Sequence, residues 1–175
     1  SDGLTCPETI TRTWTFTDAC GNVATETQTI TVQDTQVPVF AAPPADLTVE
    51  CIGDVPAMTD LGWTDNCDGA GSVAGSDGPL IGGNCGGTIT RTWTYADGCG
   101  NSDTETQIIT VNDTQIPVMN APPAAVAVQC SGDVPAMINL NYTDNCDVAG
   151  SVVGADVSDG LTCPETITRT WTFTD

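Results

Sequence analysis

The stretch SDGLTCPETITRTWTFTD, residues 1–18, returns unchanged at residues 158–175, and a weaker version, CGGTITRTWTYADGCGN, lies between them at residues 85–101. Equivalent cysteines are 79 residues apart from Cys6 to Cys85 and 78 apart from Cys85 to Cys163, so the long period of 157 residues is two short ones. A fixed period of this kind indicates an array of equivalent domains. We therefore divide the chain into repeat 1 (residues 1–34, the end of a repeat), repeat 2 (35–113, complete) and repeat 3 (114–175, without its last strand). We expect the chain to be a window on a longer protein.

Repeat 2 predicts about seven short strands separated by turn residues. Its strongest strand covers residues 88–95, where Ile89, Trp93 and Tyr95 share one face and threonines occupy the other. A second strand near residues 57–63 offers Trp63 as the core partner of Trp93. No segment has a helical period. The sequence therefore predicts an all-β fold, a tandem array of antiparallel immunoglobulin-like β-sandwiches of about 78–79 residues, stapled by disulfides.

The charge balance argues against several classes of binding partner and of catalytic chemistry. The chain has 23 acidic residues, three arginines and neither lysine nor histidine, for a formal net charge of −20. Such a surface repels nucleic acid and attracts cations, and no apolar run is long enough to insert in a membrane. Without histidine there is no Ser–His or Cys–His couple for nucleophilic catalysis. We therefore expect a protein that is not an enzyme, binds no nucleic acid and does not insert in a membrane through this segment.

Nine cysteines in an acidic chain of 18.0 kDa indicate an oxidising, extracellular location. They form four sets of equivalent positions: Cys6, Cys85 and Cys163; Cys20 and Cys99; Cys51 and Cys130; Cys67 and Cys146. Neighbours in sequence are poor partners, because each such pair brackets a strand of roughly 25 Å and a disulfide needs Cα atoms within about 7 Å. In the immunoglobulin-like topology the second and sixth strands run the same way. This predicts disulfides within each repeat: Cys51 with Cys85, Cys67 with Cys99, and Cys130 with Cys163.

Acidic residues are predicted to gather where the last strand of one repeat meets the start of the next. Several carboxylates with amide oxygens and no nitrogen donor suit a hard cation, and calcium fits best because it accepts six to eight oxygens flexibly. The candidate ligands are Asp34, Asp65, Asp68, Asp97 and Asn101 at the first junction, and Asp113, Asp144, Asp147 and Asp175 at the second. The alternative is that these residues only make turns, or solvate the protein in saline surroundings.

Five short motifs form a characteristic set: TVEC at 48–51, DNCDG at 65–69, TRTWT at 90–94, DGCGN at 97–101 and DTQIP at 113–117. Together they resemble the hyalin-repeat (HYR) family, in the version found in tandem in giant surface adhesins of gliding and predatory bacteria. The resemblance covers essentially the whole chain. It implies an immunoglobulin-like fold, secretion to the cell surface, a stalk or adhesive role, and no catalytic residues.

Two functions are compatible with these features. The first is a structural segment of a long bacterial filament, stalk or adhesin that gives reach and rigidity for attachment to cells, prey or other substrates. Further copies of the chain are then expected partners, through lateral association or strand exchange at edge strands that nothing in the sequence clearly blocks. The second is a carbohydrate- or surface-binding module that grips a glycan or protein on a target cell. The threonine row Thr11, Thr13, Thr15 and Thr17 offers hydroxyls at strand spacing for it, although β propensity alone also explains such a row.

Overall fold

The chain is all-β, as predicted, in a computed structural model that describes residues 6–162 and 164–174. Apart from two 3-10 helices, Ile52–Asp54 and Ser131–Asp133, its regular elements are strands, and the strand pairs for which a register is defined are antiparallel. The chain divides into two compact units. The first comprises Ser1–Thr48, Pro56–Gly83 and Gly87–Thr110, and the second comprises Val49–Val55, Asn84–Gly86 and Val111–Asp175.

Fourteen strands are present in the described residues, and they form five small sheets. In chain order they are β1 (Glu8–Thr17), β2 (Val23–Val32), β3 (Val39–Phe40), β4 (Leu47–Val49), β5 (Leu61–Asp65), β6 (Gly69–Val73), β7 (Ser76–Asp77), β8 (Cys85–Ala96), β9 (Ser102–Asn112), β10 (Val118–Met119), β11 (Asn139–Thr143), β12 (Gly150–Val153), β13 (Ala155–Ser158) and β14 (Ile167–Thr170). The sheet orders are β1-β2, β3-β5-β6, β4-β9-β8-β7, β10-β11-β12 and β13-β14. The sequence period is thus also a structural one, because β10-β11-β12 repeats β3-β5-β6 and β13-β14 repeats β7-β8.

The core of repeat 2 lies between two of these sheets. Phe40, Leu61 and Trp63 come from the β3-β5-β6 sheet and pack in one cluster with Trp93 of β8. Trp93 is completely buried, and its indole N–H donates to the carbonyl of Thr59 at 2.9 Å. The predicted core pair of Trp63 and Trp93 is therefore confirmed, and two packed antiparallel sheets agree with the predicted sandwich.

Two glycines permit this close packing. A Cβ atom at Gly71 would lie 2.7 Å from the Trp63 ring, and one at Gly75 would lie 2.8 Å from the indole nitrogen of Trp93. Repeat 3 preserves the arrangement, since a Cβ at Gly154 would lie 2.8 Å from the indole nitrogen of Trp171. Gly71 of β6 and Gly75, between β6 and β7, therefore leave room for the two tryptophan rings.

The hairpin of β1 and β2 presents the same tryptophan position to solvent. The two strands pair over ten residues, from Glu8 opposite Val32 to Thr17 opposite Val23. Trp14, the counterpart of Trp93 one period earlier, is 57% exposed. The same sequence pattern thus gives a buried tryptophan only where facing strands cover it.

The three arginines of the chain are also equivalent by position. In repeat 2, buried Arg91 of β8 pairs with Asp77 of β7 at 2.7 Å and donates to the carbonyl of Pro56. This hydrogen-bonded ion pair lowers the pKa of Asp77 and raises that of Arg91. In repeat 3, Arg169 makes the same pair with Asp156 at 2.6 Å. Each pair fastens β7 to β8 or β13 to β14.

The core assignment predicts a large difference between two tryptophans at the same repeat position. Trp93→Ala removes a fully buried side chain and is expected to lower the free energy of unfolding by about 3–5 kcal/mol. Trp14→Ala is the matched control, and its effect on the isolated chain should stay within about 0.5 kcal/mol because the side chain is exposed. Urea denaturation followed by circular dichroism measures both, and equal effects of the two substitutions would contradict the packing described here.

Candidate cation-binding sites

Three predicted ligands lie together, one at the end of repeat 1 and two at the ends of strands of repeat 2. Asp34 follows β2, Asp65 is the last residue of β5, and Asp97 comes directly after β8. One carboxylate oxygen of each lies within 4.8 Å of those of the other two. We call this group the Asp34 cluster.

Local hydrogen bonds orient two of these carboxylates and leave one oxygen of each unused. Asp34 Oδ1 accepts the backbone N–H of Gln36 at 3.0 Å and the side-chain amide of Asn66 at 3.2 Å. Asp65 Oδ1 accepts the backbone N–H groups of the two residues after Asn66, at 2.8 and 2.9 Å. Oδ2 of Asp34 and Oδ2 of Asp65 are buried and have no hydrogen-bond partner. Each carboxylate therefore presents a free oxygen at a fixed position.

The third carboxylate is held by the turn that follows β8. Asp97 Oδ1 accepts the N–H groups of Cys99 and Asn101, both at 2.8 Å, and Oδ2 accepts the Asn101 amide at 2.7 Å. The same amide donates to the backbone carbonyl of Asp34 at 3.3 Å. Asn101 thus links the turn to Asp34, and its role in this structure is that of a donor that positions the carboxylates.

Local hydrogen bonds favour the ionised form of two of these carboxylates, those of Asp34 and Asp97. The pKa of Asp34 is lowered, chiefly because its carboxylate accepts the N–H of Gln36. For Asp97, burial acts to raise the pKa, but the hydrogen bonds from Asn101 and Cys99 outweigh it and the net pKa is lowered. The ion pairs in the described residues engage Arg91 and Arg169 with other acids. The negative charge of the cluster is therefore not balanced by an arginine, and the chain contains no lysine.

Asp68, the fourth acidic residue predicted for this site, has a different role. Its Oδ2 accepts the hydroxyl of Tyr95 and the backbone N–H of Gly98, both at 3.0 Å. Asp68 therefore fastens the loop after β5 to the end of β8 and does not join the three clustered carboxylates.

A second group, the Asp113 cluster, repeats this geometry one period later. Asp113 Oδ1 accepts the N–H of Gln115 at 3.0 Å and the Asn145 amide at 3.3 Å. Asp144 Oδ1 accepts the N–H groups of Cys146 at 2.9 Å and Asp147 at 3.0 Å, and its Oδ2 is buried without a partner. Asp147 contributes its backbone N–H, while Asp175 lies outside the described residues. The sulfur of Cys146 is close to both carboxylates, but it is tied in a disulfide and offers no thiolate to a metal.

The disulfides differ from the predicted ones and join successive repeats. Cys6 pairs with Cys99 and Cys51 pairs with Cys146, with Cα atoms 5.0 and 5.2 Å apart. The predicted pairs Cys51 with Cys85 and Cys67 with Cys99 are therefore wrong, and the predicted pair of Cys130 with Cys163 includes a residue outside the described ones.

The reason for the different pairing is local. Cys51 begins the 3-10 helix Ile52–Asp54, and the preceding Glu50 accepts the backbone N–H and the hydroxyl of Thr114 at 2.9 and 3.0 Å. These bonds hold the Cys51 loop against Thr114 at the start of repeat 3. Asn145, later in the same repeat, donates to the sulfur of Cys51 at 3.3 Å. The prediction was wrong because it paired cysteines within each repeat, whereas the bridges join cysteines of neighbouring repeats that are 93 and 95 residues apart.

Comparison with known proteins agrees with the repeat pattern. The family model for an HYR-like domain with four cysteines matches residues 1–32 and 39–111. No match was found among curated proteins or among solved structures. In the described residues, no helix is both long and apolar enough to cross a membrane.

Proposed function

We propose that this chain, which belongs to the family of HYR-like domains with four cysteines, is a load-bearing segment of an extracellular filament, stalk or adhesin of a bacterium. HYR-like domains are structural and adhesion modules, and the disulfides support a location outside the cell. The observation that carries the proposal is the staggered pair of disulfides between successive repeats.

Staggered disulfides shorten the covalent path through the chain. The loop closed by Cys6 and Cys99 overlaps the loop closed by Cys51 and Cys146. A pulling force therefore passes from Cys6 along the backbone to Cys51 and crosses the second bridge to Cys146. Less than half of the backbone lies on that path, so tension cannot draw out a whole repeat even if its core is lost. Such a limited extension under tension suits a segment that must span a distance while it carries a pulling force.

Single-molecule pulling from the two ends of the chain tests this role. At roughly 3.6 Å per extended residue, the oxidised chain should reach a contour length of about 280 Å and the reduced chain about 630 Å. The control carries serine at the four cysteines that are free in this structure, Cys20, Cys67, Cys85 and Cys130, and should behave as the parent chain does. A contour length that reduction leaves unchanged would contradict the proposal.

We also propose that each carboxylate cluster binds one calcium ion. Asp34 is only 9% exposed, and its Oδ2 has no hydrogen-bond partner. One of its carboxylate oxygens lies within 4.8 Å of one from Asp65 and one from Asp97. Oxygen ligands that lie within 4.8 Å of one another can share one calcium ion at its usual bond length of about 2.3–2.6 Å. Water would supply the remaining ligands. The ion would balance the ionised carboxylates and hold the start of repeat 2 to the ends of β5 and β8.

Calcium is expected to raise the melting temperature of the chain relative to the same sample in chelator. At a free concentration 100 times the Kd, binding to one site adds about 2.7 kcal/mol to the free energy of unfolding. Asp34→Asn should remove the contribution of the Asp34 cluster. Asp68→Asn is the matched control, because Asp68 lies at the same end of the repeat but makes other contacts, so its calcium-dependent shift should persist. Equal melting in calcium and chelator would overturn the proposal.

A further inference from the structure

The β10-β11-β12 sheet of repeat 3 carries a shallow polar groove that takes no part in the carboxylate clusters or the disulfides. We call it the Asn120 groove. It has a volume of about 470 Å³ and is lined by Asn120, Asn141, Tyr142, Thr143, Ala149, Gly150 and Ser151. All of these residues belong to one of the two compact units, so the groove is built within a single body.

The strand register places the amides of the groove and one hydroxyl in a single row. The backbone N–H of Asn120 donates to the carbonyl of Asn141 at 2.9 Å, and Asn141 lies opposite Ser151. Neighbouring strands lie about 4.7–4.9 Å apart, so the row crosses three strands over roughly 10 Å. Thr143 follows Asn141 by two residues and therefore lies on the same face of the sheet.

The polar side chains of this row have unused hydrogen-bonding capacity. Asn120, Asn141, Thr143 and Ser151 are all exposed, and none of the four side chains hydrogen-bonds to another part of the chain that the structure describes. An asparagine amide offers both donors and an acceptor, and a hydroxyl group does the same. The groove therefore presents donors and acceptors side by side.

The opposite face of the sheet holds the row in place. Leu140 and Tyr142 flank Asn141 in β11 and project to the other side, where Leu140 is buried. Tyr142 stacks there on Phe173 with ring centroids 3.7 Å apart. Because the backbone is fixed by this packing, a ligand in the groove has little main-chain disorder to remove.

The chemistry of the groove selects the class of ligand. None of its residues is charged, although the chain has a net charge of −20. A row without carboxylates is a poor site for a hard cation, and a polyanion is repelled by the rest of the chain. An apolar ligand would desolvate two amides and give no hydrogen bond in return. A neutral ligand rich in hydroxyl groups, which both donate and accept, fits these conditions.

Repeat 2 has the same face without the two amides. Four of the lining residues are identical one period earlier, as Thr64, Ala70, Gly71 and Ser72, whereas Ala41 and Gly62 stand in place of the two asparagines. The backbone is equivalent, because Ala41 donates to the carbonyl of Gly62 at 2.8 Å and Gly62 lies opposite Ser72. Ala41, Thr64 and Ser72 are exposed, so this face is the solvent side of the sheet in both repeats.

We propose that repeat 3 binds an uncharged glycan in the Asn120 groove, through the side-chain amides of Asn120 and Asn141 and the hydroxyls of Thr143 and Ser151. A groove that covers one side of a sugar gives weak binding, with a Kd on the order of 1 mM. The site adds an attachment function to the proposed load-bearing role, and it depends on neither calcium nor the disulfides.

Titration with defined oligosaccharides tests the proposal. The probes are uncharged tetrasaccharides of glucose, galactose, mannose and N-acetylglucosamine, added in chelator to the full chain labelled with nitrogen-15. At least one of them should shift the side-chain amide resonances of Asn120 and Asn141 in a saturable way. The absence of a saturable shift with all four probes, up to about 10 mM or tenfold above the expected Kd, would overturn the proposal.

Removal of the two amides should weaken the binding. The double substitution Asn120→Ala with Asn141→Ala is expected to raise the Kd by about tenfold or more, because the hydrogen bonds of two amides are lost. The backbone resonances of Thr143 and Ser151 report the binding in this variant. Asn139→Ala is the matched control, since Asn139 is exposed on the same strand but does not line the groove, and it should leave the Kd unchanged. Undiminished binding by the double variant would contradict the assignment.

Transfer of the amides to repeat 2 provides a gain of function. The double variant receives Ala41→Asn and Gly62→Asn as well. Space is available, because a Cβ at Gly62 would have the carbonyl oxygen of Gly71 as its nearest neighbour, at 3.7 Å. Binding should return, now with shifts at Thr64 and Ser72. A chain that keeps its circular dichroism spectrum but does not regain binding would overturn the assignment. The pulling experiment contains no glycan, so failure here is distinguishable from failure of the load-bearing role.

Discussion

Covalent links between successive repeats are the constraint on which the rest of this structure depends. Each repeat has about 80 residues, a size at which a core by itself supplies little stability, and repeat 2 buries seven hydrophobic side chains: Phe40, Leu61, Trp63, Ile89, Trp93, Ile109 and Val111. The two bridges close loops of 93 and 95 residues. In the chain-entropy model, each contributes about 4–5 kcal/mol. Each repeat is therefore stabilised by disulfides to its neighbours, and repeat 2 in isolation would lose both of its disulfides.

One sequence motif has three different environments in the described residues. Trp93, Trp171 and Trp14 are equivalent by sequence, but the first is completely buried, the second is half-buried and the third is largely exposed. The difference follows the number of facing strands available to each. The carboxylates at the strand ends also depend on a neighbouring repeat, because the Asp34 cluster forms where the end of repeat 1 meets the strands of repeat 2. A junction between repeats is thus where packing, disulfides and acidic residues all meet.

Much of the fold could be predicted because it is encoded locally. The alternation of Ile89, Trp93 and Tyr95 predicted β8, and large aromatic residues at matching places predicted the core pair. The gathering of Asp34, Asp65 and Asp97 followed from their positions at strand ends. The disulfides are not encoded locally, because each bridge joins cysteines of neighbouring repeats that only the tertiary fold brings together. Asp68 was misplaced for a related reason, since its partner Tyr95 is fixed by tertiary packing and not by spacing.

The arrangement of the repeats is tested most directly by mapping the disulfides of the intact protein. Digestion under non-reducing conditions at low pH, followed by mass spectrometry, identifies the linked peptides without exchange of thiols. The account predicts that the peptide containing Cys6 is joined to that containing Cys99, and the peptide containing Cys51 to that containing Cys146. Linkage of Cys51 to Cys85 would show that each repeat is closed on itself, and would contradict both the staggered bridges and the load-bearing role derived from them.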